Sequence, residues 1–336
     1  MIAQPRLRQL GLGELLDQTF RLYRNNFITF IALTALVVVP YTLLSYVVQL
    51  PMQQQLQAIQ QQAAAGVDPF SGSSPIDLLS GFLFSIVGSF GLTLAYLVFF
   101  QPLMEGALAH AISQRYLGRE VTLGDSFGTA MRHILALIGA RLIPVLLSIF
   151  GFIVIFGVAF AGMAAILGIS LSGDDRSTAA GAGAVAGLVF CMVGLIIVFA
   201  LLSLFVSVRL LFTSQSVVLE HRGAWESVVR SWRLTERFFW RTLGYLLVIG
   251  LMVFFISLVP TLLFVTPVQF IFPDQIALQL LVSSLVGAVT SVIITPFSLI
   301  AYTLMYYDLR VRKEGFDLEQ QATAVLGAGF PVVSGQ

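Results

Sequence analysis

Charged residues divide the chain into six long apolar runs that contain no Asp, Glu, Lys or Arg. The runs are residues 25–67, 78–104, 142–173, 177–208, 242–273 and 275–307. Each can hold a helix of about 20 residues, the length that crosses a bilayer core of about 30 Å. Backbone groups in lipid are satisfied within a helix or a closed barrel, and these runs lack the alternation of barrel strands. The pattern predicts six transmembrane helices, near residues 27–50, 78–101, 143–168, 186–210, 243–266 and 279–304.

The composition favours one membrane domain over soluble domains. Of the 336 residues, 57% are hydrophobic and 10% are charged, whereas soluble domains carry about 25% charged residues. We expect a cytoplasmic segment with an interfacial helix at residues 1–26, a six-helix transmembrane domain at 27–307 and a cytoplasmic tail at 308–336, disordered at its end. The first apolar run is too long for a cleaved signal peptide, so we expect it to remain as an anchor.

The basic residues predict the orientation in the membrane. Of the 18 lysines and arginines, 17 lie in the terminal segments or in the loops that follow the second and fourth spans, and the three opposite loops contain only Arg176. Cytoplasmic segments retain Lys and Arg, whereas short translocated loops are depleted of them. We therefore expect both termini on the cytoplasmic side of the plasma or inner cell membrane.

A short amphipathic segment precedes the first, third and fifth spans. Alignment of the first and last copies without gaps pairs Glu14 with Glu226 and Arg21 with Arg233, and the middle copy contributes Arg132 in register. These copies predict three units in one orientation, each an amphipathic helix followed by a transmembrane hairpin. The predicted fold is an all-α transmembrane bundle of six spans with a pseudo-threefold arrangement.

The arginines near the predicted membrane surface are the candidate site residues. A basic, aromatic amphipathic helix can lie in the headgroup plane and face anionic lipid, or it can pack against the bundle and seal its inner face. Glu105, Arg141 and Arg209 flank spans, where they can form an ion pair or an anion site, or extend to the headgroups. The candidate contacts to anions or lipid are Arg21, Arg132, Arg141, Arg209, Arg233 and Arg241.

Two further patterns concern helix length and packing. Seven glutamines between residues 53 and 62, with apolar residues at helical spacing, predict a helical extension outside the membrane that serves as a spacer or as a ligand lid. Glycines within residues 151–168 and 181–194 predict close contact between helices, because small residues let membrane helices approach.

The motif search is negative for catalysis and cofactors. Walker A, G-x-S-x-G and H-E-x-x-H motifs are absent, and the only cysteine is Cys191. The three histidines, His110, His133 and His221, are far apart along the chain, which disfavours a metal site. We therefore expect no catalytic residues, no metal, no cofactor and no nucleic-acid partner.

Three stretches are similar to one family. Leu10 to Arg24, Ser231 to Arg241 and Pro296 to Leu318 resemble the opening, the centre and the end of a membrane domain attached to some bacterial glycerophosphodiester phosphodiesterases. The resemblance implies a six-span bacterial membrane domain whose own role is poorly defined. We expect no phosphodiesterase catalytic barrel, and we interpret the H-R-G tripeptide at 221–223, which opens that barrel in the enzymes, as a coincidence.

Three functional hypotheses remain open. The first is a non-catalytic scaffold or accessory subunit that contacts anionic lipid, a protein partner or a second copy through its basic side. The alternative is a small transporter or channel whose path runs between the three hairpins. The third, an intramembrane enzyme acting on lipid, requires converging polar groups near the interface, and the sequence shows none in such an arrangement.

Overall fold

Helices make up nearly all of the chain that a computed structural model describes, namely residues 9–66, 87–171 and 177–315. No strand is present among these residues, so the predicted all-α fold is confirmed. The predicted start of the second span at 78–86 and the tail beyond Gly315 lie outside them. In chain order the helices are α1 (Leu12–Asn25), α2 (Phe27–Ala64), α3 (Val87–Tyr116), α4 (Leu123–Arg132), α5 (Ile134–Leu171), α6 (Ser177–Leu210), α7 (Thr213–Glu220), α8 (Ala224–Thr235), α9 (Phe239–Ile271) and α10 (Ile276–Glu314).

Six of these helices, α2, α3, α5, α6, α9 and α10, are long and apolar enough to cross a membrane. The predicted six-span bundle is thereby confirmed, and the protein is a multi-pass membrane protein. The spans expose apolar side chains along much of their length, as expected of surfaces that face lipid. These side chains form what we call the apolar belt, with examples on each span in Leu43, Phe99, Phe150, Leu201, Leu251 and Leu285.

Several helices are longer than the predicted spans. Helix α2 continues through the glutamine run to Ala64, as the helical spacing there predicted. Helix α10 has 39 residues, which corresponds to about 58 Å at 1.5 Å per residue. This length is nearly twice the thickness of a bilayer core, so α10 extends well beyond the membrane.

The amphipathic segments form helices α1, α4 and α8, each directly before a span. All three have an acidic residue in the first turn. Two are also capped: Glu14 accepts the backbone N–H of Gly11 at 2.9 Å on α1, and Thr122 accepts that of Asp125 at 3.1 Å on α4. Carboxylates and capping side chains stabilise the free N–H groups of a helix start. The element order thus agrees with three helix-plus-hairpin units, whereas the threefold symmetry and the sequence repeat stay predictions.

Helix α1 runs antiparallel along α10. The N–H of Leu10 contacts Asp308, the ring of Phe20 lies 4.9 Å from that of Phe297, and the hydroxyl of Tyr23 donates to the carbonyl of Ile293 at 2.9 Å. Later positions on α1 therefore contact earlier positions on α10. Of the two placements open for the amphipathic helices, α1 therefore takes the one against the bundle.

The packed core lies at one end of the bundle, which we call the charged end. From residue 294 to residue 311 no position of α10 is exposed, because α1, α2, α3, α8 and α9 surround it. Leu15, Leu108 and Phe212 belong to the same buried cluster. The first half of α10, by contrast, exposes Leu285 and Ile293 in the apolar belt. Helix α10 is thus lipid-facing in its first half and the centre of a packed helical assembly in its second.

Helices α5 and α6 approach closely through glycine, as predicted. A Cβ atom at Gly151 would lie 1.9 Å from the ring of Phe199, and one at Gly162 would lie 2.2 Å from Leu188. No real Cβ atom tolerates such distances, so the two helices pack at a separation that only glycine permits here. The side chains at 177–186 lie outside the described residues. The predicted contacts of Gly181 therefore lie outside them as well.

This contact gives a stability prediction. Gly151→Ala forces the Phe199 ring to move, and overpacking of this kind costs about 1–3 kcal/mol, so we expect a lower midpoint of thermal unfolding in detergent. The control is Gly157→Ala on the same helix, where a Cβ atom meets nothing within 4 Å and alanine favours the helix. A midpoint for Gly151→Ala equal to or above that of Gly157→Ala would contradict the packing.

Candidate functional site

A fully buried carboxylate joins three elements at the charged end. Asp308 has no exposed side-chain area; it accepts the N–H of Leu10 at 2.8 Å, Nη2 of Arg241 at 3.0 Å and Nε of Arg312 at 2.9 Å. Both arginines also donate to the carbonyl of Leu10 at 2.7 Å. Both oxygens of the buried carboxylate thus accept hydrogen bonds and face arginine, which is the condition for a stable buried ion pair.

A second group of charges joins α7, α8 and α10. The guanidinium of Arg230 on α8 bridges Glu220, at 3.0 Å from Nε to Oε2, and Glu314, at 2.7 Å from Nη2 to Oε2. The hydrogen bonds to Glu314 raise the pKa of Arg230 above its ordinary value. Glu220 also accepts the hydroxyl of Tyr306 and lies 3.6 Å from Arg310. This network fastens α7 and α8 to the end of α10.

Glu105 forms the third charged contact, closest to the apolar belt. It lies five positions beyond Phe100, the last exposed apolar residue of α3, and 3.5 Å from Arg141 on α5. Its carboxylate also accepts hydrogen bonds from Gln101 at 2.8 Å and from Ser214 on α7 at 2.9 Å. The structure therefore brings Glu105 and Arg141 together as an ion pair, one of the arrangements that the sequence left open.

Two cavities with polar groups in their lining flank Glu105. One, of about 400 Å³, lies between α3, α5 and the α6–α7 junction, and its polar lining is Gln101, Glu105, Arg141, Ser148, Ser207, Thr213, Ser214, Gln215 and Tyr302. The other, of about 380 Å³, lies between α3, α9 and α10 and is lined by hydroxyl groups that include Ser257, Thr290 and Ser298. A π-helical turn at Tyr96–Phe100 precedes Gln101, and such turns are frequent at functional sites. The volumes suit a small polar ligand.

Arg209 lies apart from the ion pair of Glu105 and Arg141. It lies near the end of α6, and its Cζ atom is 5.3 Å from the ring centre of Phe205, 5.0 Å from that of Trp232 and 5.4 Å from that of Phe239. We call these three rings the aromatic cage. Among the described residues, Nε and Nη1 of Arg209 are buried without a hydrogen-bond partner.

The remaining candidate arginines are exposed. Arg21, Arg132 and Arg233 lie on α1, α4 and α8, respectively. The three tryptophans of the chain, Trp225, Trp232 and Trp240, are exposed by 70%, 42% and 80% along α8 and the start of α9. The six predicted residues thus separate into Arg141 and Arg241 in ion pairs, Arg209 in the aromatic cage and three on the surface.

Sequence reasoning missed several parts of the site. Helix α7 was not predicted, although four of its residues supply contacts or cavity lining at the charged end. His133 and His221, distant along the chain, lie 3.2 Å apart between Nε2 and Nδ1. No group of three or more metal-binding side chains occurs within 9–66, 87–171 and 177–315. A pair between two loops leaves no periodic signal in a sequence.

Comparison with known families gives one result. A family profile described as a domain of unknown function, DUF7847, matches residues 11–309. The chain belongs to the DUF7847 family. No curated protein and no solved structure gives a significant match. The DUF7847 match includes Glu105, Arg209 and Asp308, but its description carries no activity, so the resemblance to the phosphodiesterase-associated membrane domain stays a prediction.

The Asp308 contacts predict a large loss of stability on neutralisation. Asp308→Asn leaves Arg241 and Arg312 without a carboxylate, and breaking a buried pair in this way costs about 3 kcal/mol or more. We expect a marked fall in the thermal unfolding midpoint in detergent. The control is Asp274→Asn, because Asp274 is exposed at the opposite end. Equal midpoints for the two variants would show that the Asp308 contacts do not stabilise the fold.

Proposed function

We propose that this DUF7847 protein is a non-catalytic membrane scaffold that binds anionic lipid at its charged end. The observation that supports the proposal is shared by its three amphipathic helices. The first turns contain the acidic residues Glu14, Asp125 and Glu226, and the last turns contain the basic residues Arg24, Arg132 and Arg233. The span begins within a few residues of each basic turn, so the arginines lie next to the apolar belt and the carboxylates lie away from it.

This distribution suits a membrane surface that carries anionic headgroups. The helix dipole alone favours acidic starts and basic ends, but it does not account for the adjacent exposed aromatic rings. Tryptophan is enriched at the level of the headgroups, and Trp240 with 80% exposure stands at the start of a span. Each arginine near an anionic membrane surface contributes about 1 kcal/mol of favourable binding free energy. Lipid is therefore the partner that accounts for both residue types.

Orientation and assembly form part of the same proposal. The excess of Lys and Arg at the charged end supports a cytoplasmic position for this end and for both termini, in the plasma or inner membrane. Bound lipid would hold the charged end at the membrane surface, where a protein partner or a second copy of the chain can contact it. The resemblance to a domain that accompanies phosphodiesterases supports an accessory role of this kind.

The proposal predicts a charge-dependent lipid preference. The combined variant Arg21→Gln, Arg132→Gln and Arg233→Gln should lose most of the rise in unfolding temperature that phosphatidylglycerol gives over phosphatidylcholine in mixed micelles. The matched control replaces the same three residues by Lys, which keeps the charge and should keep most of the rise. An unchanged preference in the Gln variant, measured at low salt, would refute the proposal.

A small transporter or channel is the second candidate, and the cavities beside Glu105 favour it. Both contain polar groups within a few turns of the apolar belt, and both include Gln101, Glu105 and Tyr302 in their lining. A transport path requires access to these groups from both sides of the membrane, whereas a binding pocket requires access from one side.

Cysteine accessibility separates these two cases. With Cys191 replaced by Ser, Ser214→Cys and Ser298→Cys should react with a membrane-impermeant maleimide only from the charged side if the cavities are pockets. Leu251→Cys, in the apolar belt, should remain unlabelled from either side and serves as the control. Labelling of Ser298→Cys from both sides would support transport.

A further inference from the structure

We propose that Arg209 and the aromatic cage form a binding site for the phosphate group of an anionic phospholipid, whose headgroup carries no compensating positive charge. The proposal rests on the lipid-binding function above and adds a discrete site to it. The three rings come from three elements, Phe205 from α6, Trp232 from α8 and Phe239 from α9. The site therefore exists only in the folded bundle.

The position of Arg209 is held from the backbone. Ser231 on α8 donates its hydroxyl to the carbonyl of Arg209 at 2.8 Å and accepts the N–H of Phe212 at 3.2 Å. The rings also contact one another, with centres 5.9 Å apart between Phe205 and Trp232 and 5.4 Å apart between Phe205 and Phe239. These contacts fix the end of α6 against α8, so the guanidinium has a defined place in the cage.

The charge of Arg209 is not neutralised by the protein. Arg141, Arg230, Arg241, Arg310 and Arg312 each lie within 4 Å of a carboxylate. Arg209 has neither an ion pair nor a side-chain hydrogen bond among the described residues. Stacking on aromatic rings offsets part of the cost of such a charge near lipid, but the in-plane N–H groups still require an acceptor.

The geometry leaves one end of the guanidinium for an anion. The rings surround the group, and Nε and Nη1 are enclosed. The end that carries Nη2 is therefore the part that can meet an oxygen acceptor. Arginine binds phosphate oxygens through strong charge-assisted hydrogen bonds, so a phosphate monoanion at Nη2 supplies the missing negative charge and an acceptor for that end of the guanidinium.

The surroundings favour a lipid phosphate over a soluble one. Phe205 and Trp232 are partly exposed, and the preceding turn of α6 presents Leu201 and Leu202 to the apolar belt. The opening thus adjoins the acyl-chain surface at the level where tryptophan marks the headgroups. A phospholipid can place its phosphate at Arg209 and its chains against Leu201 and Leu202, whereas free phosphate gains nothing from these side chains.

Trp232 makes the site observable by fluorescence. Trp225→Phe with Trp240→Phe leaves Trp232 as the only tryptophan. This protein is reconstituted in phosphatidylcholine vesicles with equal fractions of brominated phosphatidylglycerol or brominated phosphatidylcholine, whose bromine atoms quench nearby tryptophan. We expect an affinity about fivefold higher for phosphatidylglycerol, the effect of about one favourable basic contact at the surface.

The variants test the role of Arg209 itself. Arg209→Gln should abolish the preference, and Arg209→Lys should retain part of it, because the charge remains but an ammonium group does not stack on the rings as the planar guanidinium does. The matched control is Arg237→Gln, an exposed arginine between α8 and α9, and it should keep the preference. Equal quenching by the two brominated lipids in the protein with Arg209 intact would overturn the site.

Two further measurements distinguish a lipid site at Arg209 from a soluble-anion site and from the charge of the surface arginines. Inorganic phosphate that changes Trp232 emission in pure phosphatidylcholine vesicles, with loss of the effect in Arg209→Gln, would assign a soluble anion instead of a lipid. If the Gln variant of Arg21, Arg132 and Arg233 keeps its lipid preference while Arg209→Gln loses Trp232 quenching, the surface proposal fails and the Arg209 site stands. If instead the Gln variant of Arg21, Arg132 and Arg233 loses its lipid preference while Arg209→Gln keeps Trp232 quenching, the Arg209 site is refuted and the surface proposal stands.

Discussion

The contacts of the buried Asp308 carboxylate hold α1, α9 and α10 together, and the arrangement of the other helices depends on these three. Lipid offers little hydrophobic drive for association between helices, so polar contacts and close packing decide how apolar spans are arranged. Asp308 binds the start of α1 through Leu10 and the start of α9 through Arg241. Since α1 then lies along α10 and α9 enters the membrane beside it, two of the three units are positioned by one side chain.

Glu220 and Glu105 hold further helices to the bundle by ion pairs of the same kind. Each carboxylate lies on or against the central helices α3, α7 and α10, and each takes its arginine from a neighbouring helix: Arg230 from α8 and Arg141 from α5. The packed core surrounds these contacts at the charged end, whereas the spans beyond it rely on apolar surface and on glycine contacts such as that of Gly151. The bundle is therefore most tightly packed where the chain is most polar.

This arrangement separates structural arginines from those available to a ligand. Arginines whose charge is met by a carboxylate contribute to the fold. Arg209 is held by aromatic rings and lacks an acidic partner among the described residues, and Arg21, Arg132 and Arg233 are exposed beside the apolar belt. The available positive charge therefore lies next to the apolar belt, and this position is the basis of the lipid contact that we propose.

The sequence by itself determined the six spans, the helical state, the extension of α2 and the grouping of the basic residues. These features depend on the thickness of the bilayer and on the cost of charge in lipid, which act on each segment separately. It did not predict helix α7, the pair of His133 and His221, the cavities beside Glu105 or the rings around Arg209. The contact between Leu10 and Asp308 joins positions 298 residues apart. Such contacts depend on how separate helices pack, and only the tertiary structure decides which side chains then meet.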